Sequence, residues 1–330
     1  MIKDTIRTVL EQAIAACRQE GLLQASAAPG FAIEVPKNRE HGDFATNAAM
    51  LLAPAEKKSP RDIARLIADK LQAHTDVVER IEVAGPGFIN FHLNHAVWCT
   101  MLQELEEQGE RYGSSTAGSG TKIQVEFVSA NPTGPLHVGH GRGAALGDAL
   151  ANILAFAGYE VQREYYINNV GIQMQNLGRS VYLRYLELLR QEIEFTEGLY
   201  RGEYIRDVAK EVVLKRGERF VKSAEAEALP FFTEFAAALI LKGIRADLEQ
   251  FGVRFDNWFS EKVLFEQGAV QRSIEELKER DLAYEHEGAL WFRTTRFGDE
   301  KDRVMIKEDG STTYFASDIA YHREKFSRGF

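Results

Sequence analysis

The chain has only two cysteines, Cys17 and Cys99, among its 330 residues. Two thiols are too few for a four-cysteine zinc cluster or a disulfide framework, and such scarcity is typical of a reducing compartment. Long hydrophobic runs are also missing, since the longest, FAAALIL at 235–241, is far too short to cross a bilayer. The charged, amphipathic start KDTIRTVLEQ differs from a signal peptide. These absences predict a soluble, cytoplasmic protein with no membrane partner.

The sequence also lacks an excess of positive charge, because its formal net charge is −9. A protein that coats DNA is expected to be basic, so no DNA partner is predicted, whereas an RNA partner can still be met through a local basic patch. What is present is an apolar fraction of 45%, which is enough for a sizeable core. The length is typical of about two domains of ~150 residues each.

Residues 1–111 predict a small α+β domain. Apolar residues form one stripe of a helix over 4–20, FAIEV at 31–35 predicts a strand, and HGDFATNAAMLLA predicts a loop that enters a helix. Ser59 before Pro60 is typical of a helix N-cap. VERIEV and FINFHL predict two strands around the turn AGPG, and a further helix is expected over about 95–110.

The segment YGSSTAGSGT at 112–121 is small and polar and predicts a linker. From residue 122 onward, KIQVEFVS and VQREYYIN predict strands, and a helical segment follows each of them. This order indicates an α/β fold with a right-handed, parallel βαβ arrangement of the Rossmann-like, nucleotide-binding kind. A mostly helical insertion is predicted over about 185–285. The last part predicts strands that close at Asp309-Gly310, followed by a helix.

Two histidines three positions apart, His137 and His140, stand between the first of these strands and its helix. A pair at this spacing on a helix can bind zinc, but a zinc site needs further ligands. There is no HExxH motif and the cysteines are remote, so no zinc is expected. A purely structural role for both histidines is a second alternative. The glycines around them make it less attractive, because glycine supplies no packing.

The position of the pair favours phosphate binding instead. Open α/β sheets bind ligands outside the carboxyl ends of their strands, and a helix N-terminus offers unpaired N–H groups and a positive dipole end. Imidazole N–H groups would add donors for phosphate oxygens. Gly139 removes a side chain where a flat base could lie, and Pro132 and Pro135 stiffen the turn. The spacings of a Walker loop or of a dinucleotide GxGxxG motif are absent.

The stretch SANPTGPLHVGHGRGAALGDALA at 129–151 resembles the HIGH motif of class I aminoacyl-tRNA synthetases, specifically that of the arginyl-tRNA synthetase family. Further stretches resemble other parts of this family, and the resemblance covers nearly the whole chain: HGDFATNAAM at 41–50, AGPGFINFHL at 84–93, YYINNVGIQM at 165–174 and DRVMIKEDGSTTYFASDIAYHREKF at 302–326. It implies that residues 1–111 are an additional tRNA-binding domain and residues 122–330 an incomplete catalytic domain.

The resemblance implies an arginine–tRNA ligase, which makes arginyl-adenylate from arginine and ATP and transfers the arginine to the 3′ end of tRNA(Arg). ATP is expected as a substrate with Mg²⁺, and the protein is expected to be a monomer. His137 and His140 would be catalytic, and Pro135 and Gly139 would join them in binding ATP. By the same resemblance the arginine would be bound by Glu126, Ser129, Asn131, Tyr314 and Asp318. The tRNA elbow would be contacted by Phe88, Asn90 and His92.

Acidic residues suit this substrate, because the guanidinium is planar, permanently charged and forked. Tyr314 and Asp318 are four residues apart and therefore share one helix face. Phe88, Asn90 and His92 alternate along a strand and share one of its faces, and a place for Phe88 in the core is the alternative to tRNA contact. Gln173 is either a polar pocket residue or a helix-surface glutamine.

Two features depart from the family pattern. Asn169 stands where an aspartate is common, which puts a role for a negative charge there in doubt. No KMSKS motif is found, so the chain is expected to be an N-terminal fragment that lacks the KMSKS loop and the anticodon-binding domain and that cannot charge tRNA alone. Two alternatives stay open: a stand-alone RNA- or arginine-binding module, and a class I synthetase for another amino acid.

Overall fold

The computed structural model describes residues 2–24 and 30–330 and divides into two compact units, Met1–Ser114 and Ser115–Phe330. The first is a small α+β unit and the second an α/β unit with a parallel sheet, so the predicted fold class is confirmed. No helix within the described ranges combines the length and the apolar character that a membrane span needs.

The first unit packs helices against one face of an antiparallel sheet. Its helices are α1 (Ile2–Gln19), α2 (Ala48–Glu56), α3 (Pro60–Leu71) and α4 (His95–Gln108). Its strands are β1 (Ile33–Glu34), β2 (Phe44–Thr46), β3 (Val78–Ala84) and β4 (Phe88–Leu93), in the order β1-β2-β4-β3. Its core is formed mainly by aliphatic side chains of α1, α3 and β4, among them Ile6, Leu10, Ile14, Ile63, Ile67 and Ile89.

Local sequence signals explain most of these elements. The Ser59 side chain accepts a hydrogen bond from the Asp62 N–H, and Pro60 opens α3 as predicted. The strand predicted over 31–35 is only two residues long, and β2 lies where a loop was expected. Three residues are too short for an apolar alternation to be recognised.

The second unit is built on the parallel sheet β5 (Lys122–Glu126), β6 (Glu160–Ile167) and β7 (Asn257–Ser260), in the order β5-β6-β7. Helix α5 (Val138–Phe156) connects β5 to β6, which confirms the predicted βαβ arrangement. The remaining helices are α6 (Ile172–Leu188), α7 (Glu203–Arg216), α8 (Glu225–Gln250), α9 (Glu261–Glu266), α10 (Ala269–Glu279) and α11 (Tyr314–Ser327). A second, antiparallel sheet has the order β10-β9-β8, with β8 (Ala283–His286), β9 (Ala289–Phe292) and β10 (Arg303–Ile306).

The predicted helical insertion over about 185–285 contains α7 and α8, but it also contains β7, the third strand of the parallel sheet. Its four residues, NWFS, are too few to show a period. Missing this strand also hid the residues at its carboxyl end. The expected turn at Asp309-Gly310 is present, because Gly310 has a φ of +79° and leads from β10 towards α11.

The second half of the segment 112–121 packs on the end of α5. The Gly118 N–H donates to the Ala157 carbonyl, and the Gly120 N–H donates to the Gly158 carbonyl. A Cβ on Gly118 would lie 2.4 Å from a backbone nitrogen, so only glycine fits there. The composition predicted a linker because glycine and serine are common in linkers. The same residues also form close turns such as this one.

Candidate active site at the carboxyl ends of the parallel strands

The HVGH segment forms the N-terminus of α5, directly after the loop that follows β5, as the sequence predicted. His137 is the N-cap residue: its Nδ1 accepts from the Gly139 N–H at 3.1 Å, and His140 Nδ1 accepts from the His137 N–H at 3.2 Å. The two rings stack with their centroids 3.8 Å apart. A Cβ on Gly139 would lie 2.9 Å from the His137 ring, so the glycine is needed for this cap.

This reciprocal cap fixes the chemistry of both imidazoles. A neutral imidazole whose Nδ1 accepts a hydrogen bond carries its proton on Nε2. Burial lowers the pKa of His140, and the neighbouring His137 lowers it further, so His140 is neutral at physiological pH. Each ring therefore offers an Nε2–H donor at the positive end of a helix, where an anion is favoured. Within the described residues no group of His, Cys, Asp and Glu has the arrangement of a metal site.

The loop between β5 and the histidines is strained and held by side chains. Val128 and Ser129 have φ values of +65° and +41°, which are unusual for residues other than glycine and cluster at functional sites. Ser129 Oγ donates to Glu126 Oε1 at 3.0 Å and accepts from the Tyr166 N–H at 3.1 Å. Asn131 Nδ2 donates to the Gln173 side chain at 2.6 Å. Ser129 and Asn131 thereby tie the loop to β6 and α6.

Glu126 and Asp318 lie 192 positions apart in sequence, yet the fold brings their charges into interaction. Burial raises the pKa of the Asp318 carboxyl and Glu126 adds to the rise, whereas His322 and Lys325 oppose it. No hydrogen bond or ion pair within the described residues engages the Asp318 carboxylate. Asp318 is thus a carboxylate that is available to a cationic ligand.

Tyr314 begins α11, one helical turn before Asp318. Its side chain is 61% exposed, so it is not a core aromatic residue. Tyr314 is therefore accessible at the start of the helix that carries Asp318, and its contact with arginine stays a prediction.

Glu261 is a third carboxylate at this edge, and sequence reasoning missed it. It opens α9 immediately after β7 and is only 3% exposed. Burial raises the pKa of Glu261, the hydroxyls of Ser317 and Tyr166 lower it, and Asp318 adds a further rise. Only recognition of β7 as a core strand would have pointed to it, because residues at the carboxyl ends of parallel strands are site candidates.

A buried charge cluster holds α11 against the sheet. Glu164 of β6 is fully buried, and Arg328 grips both of its oxygens, at 2.6 Å and 3.0 Å. The Tyr321 hydroxyl and the Asn257 amide donate to the same carboxylate. These bonds outweigh burial and lower the pKa of Glu164. Because Tyr321 and Arg328 belong to α11 or directly follow it, the cluster fixes the helix that carries Asp318.

Asn169, which departs from the family pattern, connects two strand ends. Its side-chain oxygen accepts from Ser260 Oγ at 3.1 Å and from the Lys262 N–H at 3.3 Å. The amide thus joins the segment after β6 to the end of β7 without a negative charge.

In the first unit, Phe88, Asn90 and His92 share the face of β4 opposite the core residues Ile89, Phe91 and Leu93. Phe88 is 38% exposed, and with Asn90 it lines a cavity of about 720 Å³. The Asn90 side chain is only 3% exposed, and its Nδ2 has no hydrogen-bond partner within the described residues. His92 is engaged elsewhere, because its ring contacts Arg80 at 3.0 Å and Glu82 at 3.8 Å.

Comparison with known proteins indicates the family of the chain. The family model described as the arginyl tRNA synthetase N terminal domain matches residues 2–93, and that of the catalytic domain of class I (R) tRNA synthetases matches residues 101–328. Proteins named arginine–tRNA ligase from Geobacter sp. (strain M21) and Bacillus subtilis (strain 168) are 52% and 47% identical over the whole chain, which spans 59% of each relative's length.

A solved structure shares the fold as well. The arginyl-tRNA synthetase of Thermus thermophilus matches 98% of this chain and 53% of its own, with a TM-score of 0.60 and 24% identity. At this identity the likeness speaks for the fold alone. The two family models together match most of the chain, and the curated relatives agree with them. The chain therefore belongs to the arginyl-tRNA synthetase family of class I aminoacyl-tRNA synthetases.

Proposed function

We propose that this chain is the N-terminal part of an enzyme that activates arginine with ATP and transfers it to tRNA(Arg), acting as a cytoplasmic monomer; the chain alone does not complete the reaction. Residues 1–111 bind tRNA and residues 122–330 carry the catalytic site. One observation carries the proposal: paired Nε2–H donors at a helix N-terminus and an unpaired carboxylate, Asp318, belong to the same parallel α/β unit. The first suits a phosphate chain and the second suits a guanidinium.

The histidine end binds ATP. His137 and His140 direct Nε2–H groups to the phosphate oxygens, and Gly139, which has no side chain, leaves its backbone open to the adenine ring. Pro135 limits the conformations of the turn before them. Mg²⁺ enters with ATP, since this ion is held largely by substrate phosphates and water.

The acidic end binds the amino acid. Asp318 and Glu126 meet the guanidinium, and the exposed Tyr314 adds its hydroxyl at the same helix end. Ser129 and Asn131 stand in the strained loop between the two ends of the site, where they contact the polar part of the substrate. Glu261, buried at the start of α9, adds negative potential to this end of the site.

The reaction needs positioning more than acid–base chemistry. The arginine carboxylate attacks the α-phosphorus of ATP in line, the bond to the bridging oxygen breaks, and pyrophosphate leaves. The two imidazoles stabilise the growing charge on the phosphoryl oxygens through their Nε2–H groups, and the acidic end fixes the distance between the reactants. The 3′-terminal hydroxyl of tRNA then takes the arginyl group, and AMP leaves.

The first unit contributes tRNA affinity. Phe88 offers a ring on which an unpaired base can stack, and the Asn90 amide offers a buried donor that no other described residue engages. His92, already bonded to Arg80 and Glu82, shapes the rim of this surface and does not enter the cavity.

Charging of tRNA(Arg) by the full-length gene product tests the proposal. Arginine should be charged, whereas lysine and citrulline should not; citrulline keeps the shape of arginine but loses the charge. Comparable charging of another amino acid would favour a synthetase of different specificity. Arginine binding without any adenylate formation would favour the stand-alone binding module.

A further inference from the structure

Lys325 is a charged side chain of α11 that the proposed function leaves without a role. It lies two helical turns after Asp318 and on the same face, about 10 Å along the helix axis. Its Nζ is 2.6 Å from Glu126 Oε2 and 4.0 Å from the centre of the Tyr321 ring. The side chain is only 14% exposed, so this pair is far better shielded than a surface ion pair.

Glu126 is held from two sides. Ser129 Oγ donates to Oε1, and Lys325 donates to Oε2. A carboxylate has about four acceptor positions, so two remain for a forked guanidinium. The carboxylate is thus fixed in direction but not saturated, which is what bidentate recognition requires.

Removal of the lysine charge would affect more than one bond. Glu126 would lose its countercharge beside Asp318, and the pKa of Asp318 would lose the lowering effect of Lys325. Glu126 also supports the Ser129 hydroxyl, which receives the Tyr166 N–H of the neighbouring strand. The ammonium therefore connects α11 to the loop that leads into the HVGH segment.

We propose that Lys325 is a positioning residue of the arginine site, whose ammonium holds the Glu126 carboxylate, and through it Ser129, in the orientation that Asp318 completes. This inference rests on the proposed function. Lys325 stays on Glu126 when arginine binds, because a displaced ammonium at this depth would be left without a partner.

The first test measures the dissociation constant of arginine by calorimetry on the full-length gene product. Lys325→Gln keeps an N–H donor but removes the charge, and it should raise the dissociation constant at least tenfold. Its effect on KM for arginine should exceed its effect on kcat. Lys325→Arg should restore binding to within about threefold of the wild type. Lys210→Gln, which breaks an exposed ion pair on α7, is the control and should change nothing.

The pH dependence of arginine binding distinguishes a positioning role of Lys325 from a purely structural one, because a structural role would leave it unchanged. Asp318 is faced by Glu126 from β5, Tyr166 from β6, Glu261 from α9, and His322 and Lys325 from α11. Loss of the lysine charge raises the pKa of Asp318 further. On acidification, arginine binding should therefore fail at a higher pH in Lys325→Gln than in the wild type.

A measurement on the wild type needs no variant to fold. Lysines are methylated with formaldehyde and borohydride, with and without arginine, and the modification is located by mass spectrometry. Lys325 should react slowly and no faster when arginine is present, whereas the exposed Lys210 should react quickly in both samples.

The outcomes separate the two proposals. Wild-type protein that binds no arginine overturns the proposed function and this inference with it. Wild-type binding with an unchanged dissociation constant and pH profile in Lys325→Gln overturns the inference alone. Tighter binding in that variant, or faster methylation of Lys325 with arginine, would also overturn it, because either result makes the lysine a competitor of the substrate.

Discussion

The two halves of α11 treat their charged groups in opposite ways. In the second half, Tyr321 and the Arg328 that follows the helix bind the buried Glu164. In the first half, Tyr314 and Asp318 have no such partners within the described residues. The second half stabilises the fold, and in our proposal the first half binds the ligand. We infer that the groups bonded to the protein hold the site in place, and that the groups without a protein partner determine what it binds.

The largest effect is expected for Arg328→Met, which removes the ion pair between the second half of α11 and Glu164. It leaves Glu164 buried without its countercharge, which should lower the free energy of unfolding by about 3–5 kcal/mol. Urea denaturation followed through the tryptophans measures this. Arg65→Met, which removes an exposed ion pair, is the matched control and should leave stability unchanged. A small effect at Arg328 would mean that the buried cluster does not anchor α11.

The corresponding substitution in the first half of α11 is Asp318→Asn. It should weaken arginine binding by roughly 1.5–3 kcal/mol, the usual strength of a charge-assisted hydrogen bond. Stability should not fall, because no hydrogen bond or ion pair within the described residues engages the Asp318 carboxylate and the nearby Glu126 charge disfavours its ionised form. Arginine titration and urea denaturation of the same sample measure both effects, with the exposed Asp207→Asn as the control. An unchanged KM for arginine would count against the assignment.

Asn90 tests the comparison in the first unit, because its buried Nδ2 likewise has no hydrogen-bond partner in the part of the chain that the structure describes. Asn90→Leu should weaken tRNA binding by about 1 kcal/mol, since one donor is lost. Stability should stay the same or rise, because an unpartnered polar group leaves the interior. Filter binding of tRNA measures the first effect, and Leu102→Ala, an exposed change on α4, is the control. Lower stability with normal tRNA binding would assign Asn90 to the fold instead.

In both imidazoles of the HVGH segment, Nδ1 accepts a backbone hydrogen bond, whereas Nε2 has no hydrogen-bond partner among the described residues. Gly139→Ala should displace the His137 ring and cost about 1 kcal/mol of cap stability, together with weaker ATP binding. Gly143→Ala in the same helix meets open space and should stabilise by about 0.5–1 kcal/mol. Thermal unfolding and ATP titration compare the two variants. Equal behaviour would show that the glycine spacing has no link to the cap.

The smallest expected effect is on the pH dependence of stability, to which Glu164 and Asp318 contribute with opposite signs. The pKa of Glu164 is lowered in the folded protein, so its stabilisation is complete above the unfolded pKa and is lost as pH falls through the folded value. The pKa of Asp318 is raised from its ordinary 3.8, so its ionisation destabilises the fold as pH rises past that value. The difference in unfolding free energy between wild type and Asp318→Asn, measured from pH 3 to 7, should follow this second course. A flat difference would mean that Asp318 is as solvated when folded as when unfolded.

Periodicity and capping signals located the long elements well. The stripe of α1, the Ser59 cap of α3 and the strand–loop–helix around the histidines follow from nearest-neighbour chemistry, which a sequence displays directly. The strands β2 and β7 were missed because three or four residues carry no period. The loss of β7 also concealed Glu261, since its importance comes only from its place at a strand end.

The sequence by itself determined the parallel α/β unit, the position of the histidines at a helix start and the family of the chain. These depend on residues that are close together in the chain, where spacing alone fixes geometry. Only the tertiary structure decided that Arg328 and Tyr321 hold Glu164, that Lys325 holds Glu126, and that no described residue pairs with the Asp318 carboxylate. These pairings join residues more than 150 positions apart, and which charge is tied or free depends on how α11 packs across the sheet.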